Sequence, residues 1–183
     1  MKHLFVLLLF FSNNGFSQNS NLDFGFINGK NITECVDSID GKICNSKNQF
    51  EVYLTDAMLL IGRYNTVVLS NNGIAWTAIR YEGDWLHNRV DTFVLKSLLG
   101  FDAIFSALKD NNLFTLPNQN ELNDVKGSTD DGNEYTLIFK ADNKFREYQF
   151  NNPGIYQKFN RSIPQFSNYV KIVEILFEWL KKE

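Results

Sequence analysis

The chain is short of histidine, cysteine and proline, and each shortage removes a class of chemistry. Its two histidines are His3 and His87, and only His87 lies beyond the first eighteen residues, so an imidazole-based triad has one residue to draw on. One histidine with the two cysteines, Cys35 and Cys44, falls short of an ordinary tetrahedral zinc site, so no metal and no cofactor is expected. No Gly-x-Ser-x-Gly, His-Glu-x-x-His, Walker or dinucleotide fingerprint occurs. Three prolines and 44% hydrophobic residues argue against long disordered tracts. A basic stripe is also missing. The net charge is −3, and the densest cationic groups, Lys171/Lys181/Lys182 and Arg80/Arg89, are sparse and mixed with acids. Counterion release from a phosphate backbone needs clustered Lys and Arg, so nucleic acid is not an expected partner.

What is present begins with the leader. Lys2 and His3 precede the apolar run Leu4–Phe11, and a polar stretch to Gln18 carries Gly15 and Ser17 at the −3 and −1 positions. This reads as a signal peptide over residues 1–17, cut before Gln18. The run is far shorter than the roughly 20 residues that span a bilayer as a helix, and no cysteine lies near the cut to be acylated. The expectation is export to the periplasm or the exterior, with no transmembrane anchor. The charged start, Phe/Leu core and Phe-Ser-Gln ending resemble the signals of exported Bacteroidetes proteins. Residues 18–31 are Asn/Ser/Gly-rich and read as a flexible lead-in. Residues 32–183 fit a single domain by the usual size of about 100–200 residues.

In an oxidising compartment Cys35 and Cys44 read as one disulfide. The sequence Cys35-Val-Asp-Ser-Ile-Asp-Gly-Lys-Ile-Cys44 supports it, because a loop over Ser38-Ile39-Asp40-Gly41 sets Val36 against Ile43 and the cysteines against each other. Such a bridge contributes about 2–3 kcal/mol. A redox role needs a cation to lower the thiol pKa, and Lys42 alone is weak support for one.

Residues from Phe50 alternate as a strand, and the apolar stretch that follows has no clean period. Asn72-Gly73 suits a tight turn, setting Leu69 opposite Trp76, Val67 opposite Ala78, Tyr64 opposite Tyr81 and Val68 opposite Thr77. A second turn at Asp142-Asn143 sets Tyr135, Leu137 and Phe139 on one face with Phe150, Tyr148 and Arg146, and puts Thr136, Ile138, Glu147 and Gln149 on the other. Each hairpin is followed by a helical pattern. One carries Phe101, Ile104, Phe105 and Leu108. The other opens at Pro164 and carries Phe166, Tyr169, Val170, Val173, Leu176, Phe177 and Leu180, with Ile172, Ile175 and Trp179 beside that stripe. The fold read from this is α+β, an antiparallel sheet from two hairpins with two helices packed on one face, in ββα-ββα order. Over roughly 64–182 this order resembles that of small exported α+β proteins of Bacteroidetes. The resemblance rests on the order of elements, has no diagnostic motif, and implies no activity.

Two constellations stand out. The acidic loop 118–133 holds Glu121, Asp124, Asp130 and Asp131, with Glu134 after it. Paired carboxylates serve glycosidases and oxygen ligands serve calcium, but adjacent acids followed by Gly132 suit neither spacing, and a solvated loop is the ordinary reading. The segment Arg80–Arg89 is the better contact patch. It sets Tyr81, Trp85 and His87 among Arg80, Asp84 and Arg89, and flat side chains with polar tips are what hot spots use. Folding of Trp85 back onto the core is the bland alternative. Asn31-Ile32-Thr33 and Asn160-Arg161-Ser162 match the glycosylation acceptor pattern and would be surface marks in a eukaryote. The function expected is an exported, non-enzymatic binding module for an envelope or extracellular protein or glycan, with Arg80, Tyr81, Trp85, His87 and Arg89 as contact residues. The alternatives are a hydrolase acting on glycans or peptides through loop carboxylates such as Asp130 and Glu134, and a structural envelope accessory.

Overall fold

Alternation along a strand decides which side chains reach the core, and here it does so over most of the chain. A computed structural model describes residues 33–34, 46–128, 132–142 and 144–183. The strands are β1 (Thr33–Glu34), β2 (Phe50–Met58), β3 (Arg63–Asn71), β4 (Trp76–Asp84), β5 (Arg89–Ser97), β6 (Glu134–Ala141), β7 (Lys144–Asn151) and β8 (Leu180–Lys182). The helices are α1 (Phe101–Asp110), α2 (Pro153–Phe159) and α3 (Pro164–Glu178). All pairings are antiparallel, in the order β1-β7-β6-β2-β3-β4-β5, with β8 added at β5.

The protein is therefore α+β with an antiparallel sheet, but the two-hairpin, ββα-ββα order is corrected. Strand β2 lies between the two expected hairpins and joins them, pairing with β3 on one side and β6 on the other. Strand β5 continues the sheet after β4, a strand that the two-hairpin reading did not include. Among the described residues a third helix, α2, precedes α3.

The β6–β7 hairpin has the expected register, Tyr135 opposite Phe150, Leu137 opposite Tyr148 and Phe139 opposite Arg146. The β3–β4 register is shifted by two residues, to Leu69 opposite Ala78, Val67 opposite Arg80 and Tyr64 opposite Gly83. Its connection is wider than a tight turn. Asn71 Oδ1 accepts the Gly73 N–H at 2.7 Å, and Asn72 Oδ1 accepts those of Ile74 and Ala75 at 2.9 Å. These side-chain caps add to one backbone bond across the connection, from the Asn72 N–H to the Ala75 carbonyl at 3.3 Å. An even shift keeps every residue on its face, so Val67, Leu69, Trp76 and Ala78 still share the core side.

One sheet face carries Phe50, Val52 and Leu54 of β2, flanked by Val67, Leu69, Leu137, Phe139, Tyr148 and Phe150, all buried. Against it lie Ile104, Phe105 and Leu108 of α1 and Phe166, Tyr169, Ile172, Ile175 and Leu176 of α3. The buried line of α3 is rotated from the expected one, because Ile172 and Ile175 are core, Val170 and Val173 are half-buried, and Leu180 belongs to β8. Ring contacts run through the layer, from Phe50 on Phe105 (5.0 Å) through Phe114 on Phe139 (5.2 Å) to Phe150 stacked on Tyr169 (4.5 Å). Aromatic pairs of this geometry add about 0.5–1.5 kcal/mol each beyond burial.

Beyond the short β1 the outer edge of β7 is closed by side chains. Asn118 Oδ1 accepts the Gln149 N–H and Gln119 Oε1 accepts the Asn151 N–H, both at 2.8 Å. Asn160 is buried, donating to the carbonyls of Lys126 and Tyr156 and accepting the Lys126 N–H. It is not the surface mark that its acceptor pattern suggested. Cys35, Cys44, Asn31, Asp130 and Asp131, and the whole of the leader and lead-in, lie outside the described residues. Among the described residues no helix is long and apolar enough to cross a membrane.

Candidate functional site

The helices leave one end of the sheet uncovered, and there the core-facing row of β2 to β5 turns polar. Past Leu54 the same face carries Asp56 beside Asn65, then Glu82 and Asp91 across the neighbouring strands. With Arg63 and Arg89 these residues line an open cleft of about 390 Å³. Burial pushes the Asp56 carboxyl up, against a hydrogen bond of 3.1 Å that Asn133 Nδ2 donates to its Oδ2. Arg89 pairs with Asp91 at 2.7 Å, and Lys182 pairs with Glu82 at 2.7 Å.

Two hairpin tips rise beside this cleft. The first is the single turn Leu59–Ile61 with Gly62, and the second is residues 85–88 between β4 and β5. The Trp85 N–H donates to the Gly62 carbonyl at 2.7 Å, which ties the tips together. Gly62 has φ +67°, and a Cβ there would come within 2.7 Å of Leu86 Cγ, so Leu86 lies directly on the glycine. The second tip is shaped by Asp84. Its Oδ1 accepts the Leu86 and His87 N–H groups at 2.9 and 3.2 Å, and Oδ2 lies 2.8 Å from His87 Nδ1. The hydrogen bond with His87 holds the Asp84 carboxyl below its usual range, against a smaller opposing desolvation.

Trp85 is held from beneath. Gly83 has no side chain where a Cβ would sit 2.0 Å from the Tyr64 ring, so Tyr64 lies flat across the strand. Trp85 stacks on that ring at 5.4 Å and stays 52% exposed. The same two tips carry Leu60 (84% exposed), Leu86 (73%) and Ile61, with Met58 and Val90 exposed on the strands at their bases. Several large apolar residues exposed on two joined tips next to a polar cleft are a candidate interaction surface.

The five contact residues expected from sequence divide between three places. Trp85, His87 and Arg89 gather at the second tip. Arg80 turns to the core face, where its Nη2 donates to the Phe177 carbonyl at 2.9 Å and its guanidinium lies 5.6 Å from the centre of the Phe177 ring. It anchors the end of α3. Tyr81 lies on the opposite sheet face between Thr66 and Thr92. In the acidic loop, Glu121 closes a capping box with Asn118, and Glu134 opens β6 opposite Asn151 and Ala57. No three His, Cys, Asp or Glu side chains gather as a metal-holding group among the described residues.

Sequence reasoning missed Leu60, Ile61 and the two glycines. Gly83 carried a signal, since an isolated glycine inside a strand marks a close approach. Leu60 and Ile61 carried none, because what brings them to Trp85 is pairing between distant residues. No family model matches the chain, and no curated protein or solved structure shows significant similarity to it.

Proposed function

We propose that the protein is an exported binding module whose contact surface is the pair of joined hairpin tips. The observation that carries this reading is the cost of the arrangement. Leu60, Ile61, Trp85 and Leu86 stay largely outside while hydrogen bonds and two glycines fix the backbone beneath them. A large aromatic held rigid before binding loses little freedom on contact, which is how anchor residues raise affinity. The adjoining carboxylates Asp56, Glu82, Asp84 and Asp91 are set among Arg63, Arg89 and Lys182, so the rim of the surface is polar and of mixed charge, which favours a partner whose own rim carries both signs.

A photo-reactive phenylalanine placed at Leu86 should cross-link one discrete partner in an envelope extract, whereas the same probe at the exposed Ser106 of α1 should not. Equal labelling from both positions, or none from Leu86, contradicts the reading. The export part is checked separately. Protein recovered from the envelope or medium should begin at Gln18, and retention of Lys2 would overturn it.

A further inference from the structure

The Glu183 N–H donates to the Val94 carbonyl at 3.2 Å, so Val94 turns its backbone polar groups away from β4 and toward β8. Backbone direction repeats every second residue. Thr92 and Val90 therefore also aim their N–H and C=O groups outward, while Phe93, Asp91 and Arg89 aim theirs at β4. Strand β8 covers β5 only at Leu95–Ser97. Among the described residues, no hydrogen bond engages Val90 or Thr92 on that side.

Exposed strand edges are normally blunted by proline, a bulge, lysine or a covering segment. Among the described residues this stretch has none of these. Arg89 to Val94 pairs residue for residue with β4 without a bulge. Its outer sheet face shows Val90, Thr92 and Val94, all β-branched and exposed, and on the other face Arg89 and Asp91 neutralise each other. The β7 edge of the same sheet is closed by Asn118 and Gln119.

We infer that the free edge at Val90–Thr92 accepts an extended segment of a partner protein, which adds an antiparallel strand in line with β8. This deepens the reading given above and rests on it, because it makes the partner a polypeptide bound beside the tips. The segment's backbone pairs with Val90 and Thr92, as in strand-addition recognition. Its side chains on the outer face are β-branched or aliphatic, to sit beside Val90 and Thr92. On the other face the residue beside Asp91 is polar or basic and shares that carboxylate with Arg89. A second copy of this chain fits poorly, since antiparallel self-pairing about the middle of Arg89–Phe93 sets Asp91 against its own counterpart.

The probe is a capped synthetic peptide, Thr-Val-Arg-Val-Thr, with a control in which alternate backbone nitrogens are methylated. On the full mature protein, the peptide should slow hydrogen exchange at the Val90 and Thr92 amides by roughly tenfold or more, and the methylated control should not. Thr92→Pro removes an outward N–H and leaves the β4 ladder intact, so it should fold and lose the peptide. Thr92→Val should keep both. Unchanged exchange at Val90 and Thr92 in the wild-type protein, or undiminished peptide binding by folded Thr92→Pro, overturns the inference; if that variant fails to fold, the comparison with the methylated peptide decides. Failure of the tips is separable. Leu86→Ser, read with the photo-reactive group moved to Trp85, should weaken cross-linking of the partner and leave exchange protection by the short peptide in place.

Discussion

At the β7 edge, Gln149 and Asn151 give their outward N–H groups to Asn118 Oδ1 and Gln119 Oε1, whereas at the β5 edge Val90 and Thr92 give theirs to no protein group among the described residues. The apolar residues differ in the same way. Near β7, Tyr148, Phe150 and Tyr169 are stacked out of solvent. Near β4 and β5, Trp85, Leu86 and Val90 are left in it. One side of the sheet is finished for the fold. The other keeps backbone and apolar groups that no described residue covers, and the proposed partner would take them up.

The comparison breaks first if the two sides respond alike to truncation. Phe150→Ala should cost about 3–5 kcal/mol, as for other buried aromatic truncations. Leu60→Ala should stay within about 0.5 kcal/mol, as an exposed change. Denaturant unfolding of both variants measures this directly, and comparable losses would mean that the tips are part of the core.

Alkaline titration should strike the closed side. Burial pushes the Tyr148 phenol well above its usual range and, as the largest cause, also raises that of its neighbour Tyr169. A raised folded pKa means that the stabilising contribution is complete below the unfolded value of about 10 and is lost as pH rises through the folded one. The melting temperature should therefore fall above about pH 10, together with a late rise in tyrosinate absorbance from the buried rings. Full tyrosinate formation near the ordinary pKa, with no loss of melting temperature, would contradict this burial.

Gly83→Ala sharpens the contrast within the open side. The new Cβ must displace the Tyr64 ring, a cost of about 1–3 kcal/mol typical of overpacking, and Trp85 should lose its stacking partner. Tryptophan fluorescence and urea unfolding report the two effects together. A variant as stable as the parent, with unchanged fluorescence, would remove the claim that Trp85 is held in place.

The β6–β7 register was legible because Tyr135, Leu137 and Phe139 alternate with more polar residues, as do Tyr148 and Phe150, around a short turn, with Ile138, Phe145 and Arg146 as exceptions. The β3–β4 register was not, because the Asn71 and Asn72 side chains stabilise a wider loop that the sequence equally permits. Strand β5 escaped notice for the reason that makes it interesting. In RVDTFVLKS neither face is consistently apolar, since Val90, Thr92 and Val94 are exposed on one side and Arg89 pairs with Asp91 on the other. Trp85 stood out by composition alone, while its neighbours Leu60 and Ile61 reach it only through long-range pairing.

A smaller effect tests the closed edge. Gln119→Ala leaves the Asn151 N–H without its acceptor and should cost about 0.5–1.5 kcal/mol, seen as faster exchange of that amide. Thr92→Ser at the open edge should change neither stability nor the exchange of its neighbours. If the Asn151 amide exchanges no faster in the variant, the Gln119 side chain is not what closes that edge.

The most direct measurement is made on the double variant Leu60→Ser/Leu86→Ser, which renders both tips polar without touching the core. The account predicts an unfolding midpoint that matches the parent within about 0.5 kcal/mol per site, together with loss of the partner cross-linked from the β4–β5 tip, read with the photo-reactive group moved to Trp85. Undiminished cross-linking by the polar-tipped protein, or a loss of stability comparable to that of Phe150→Ala, would contradict it.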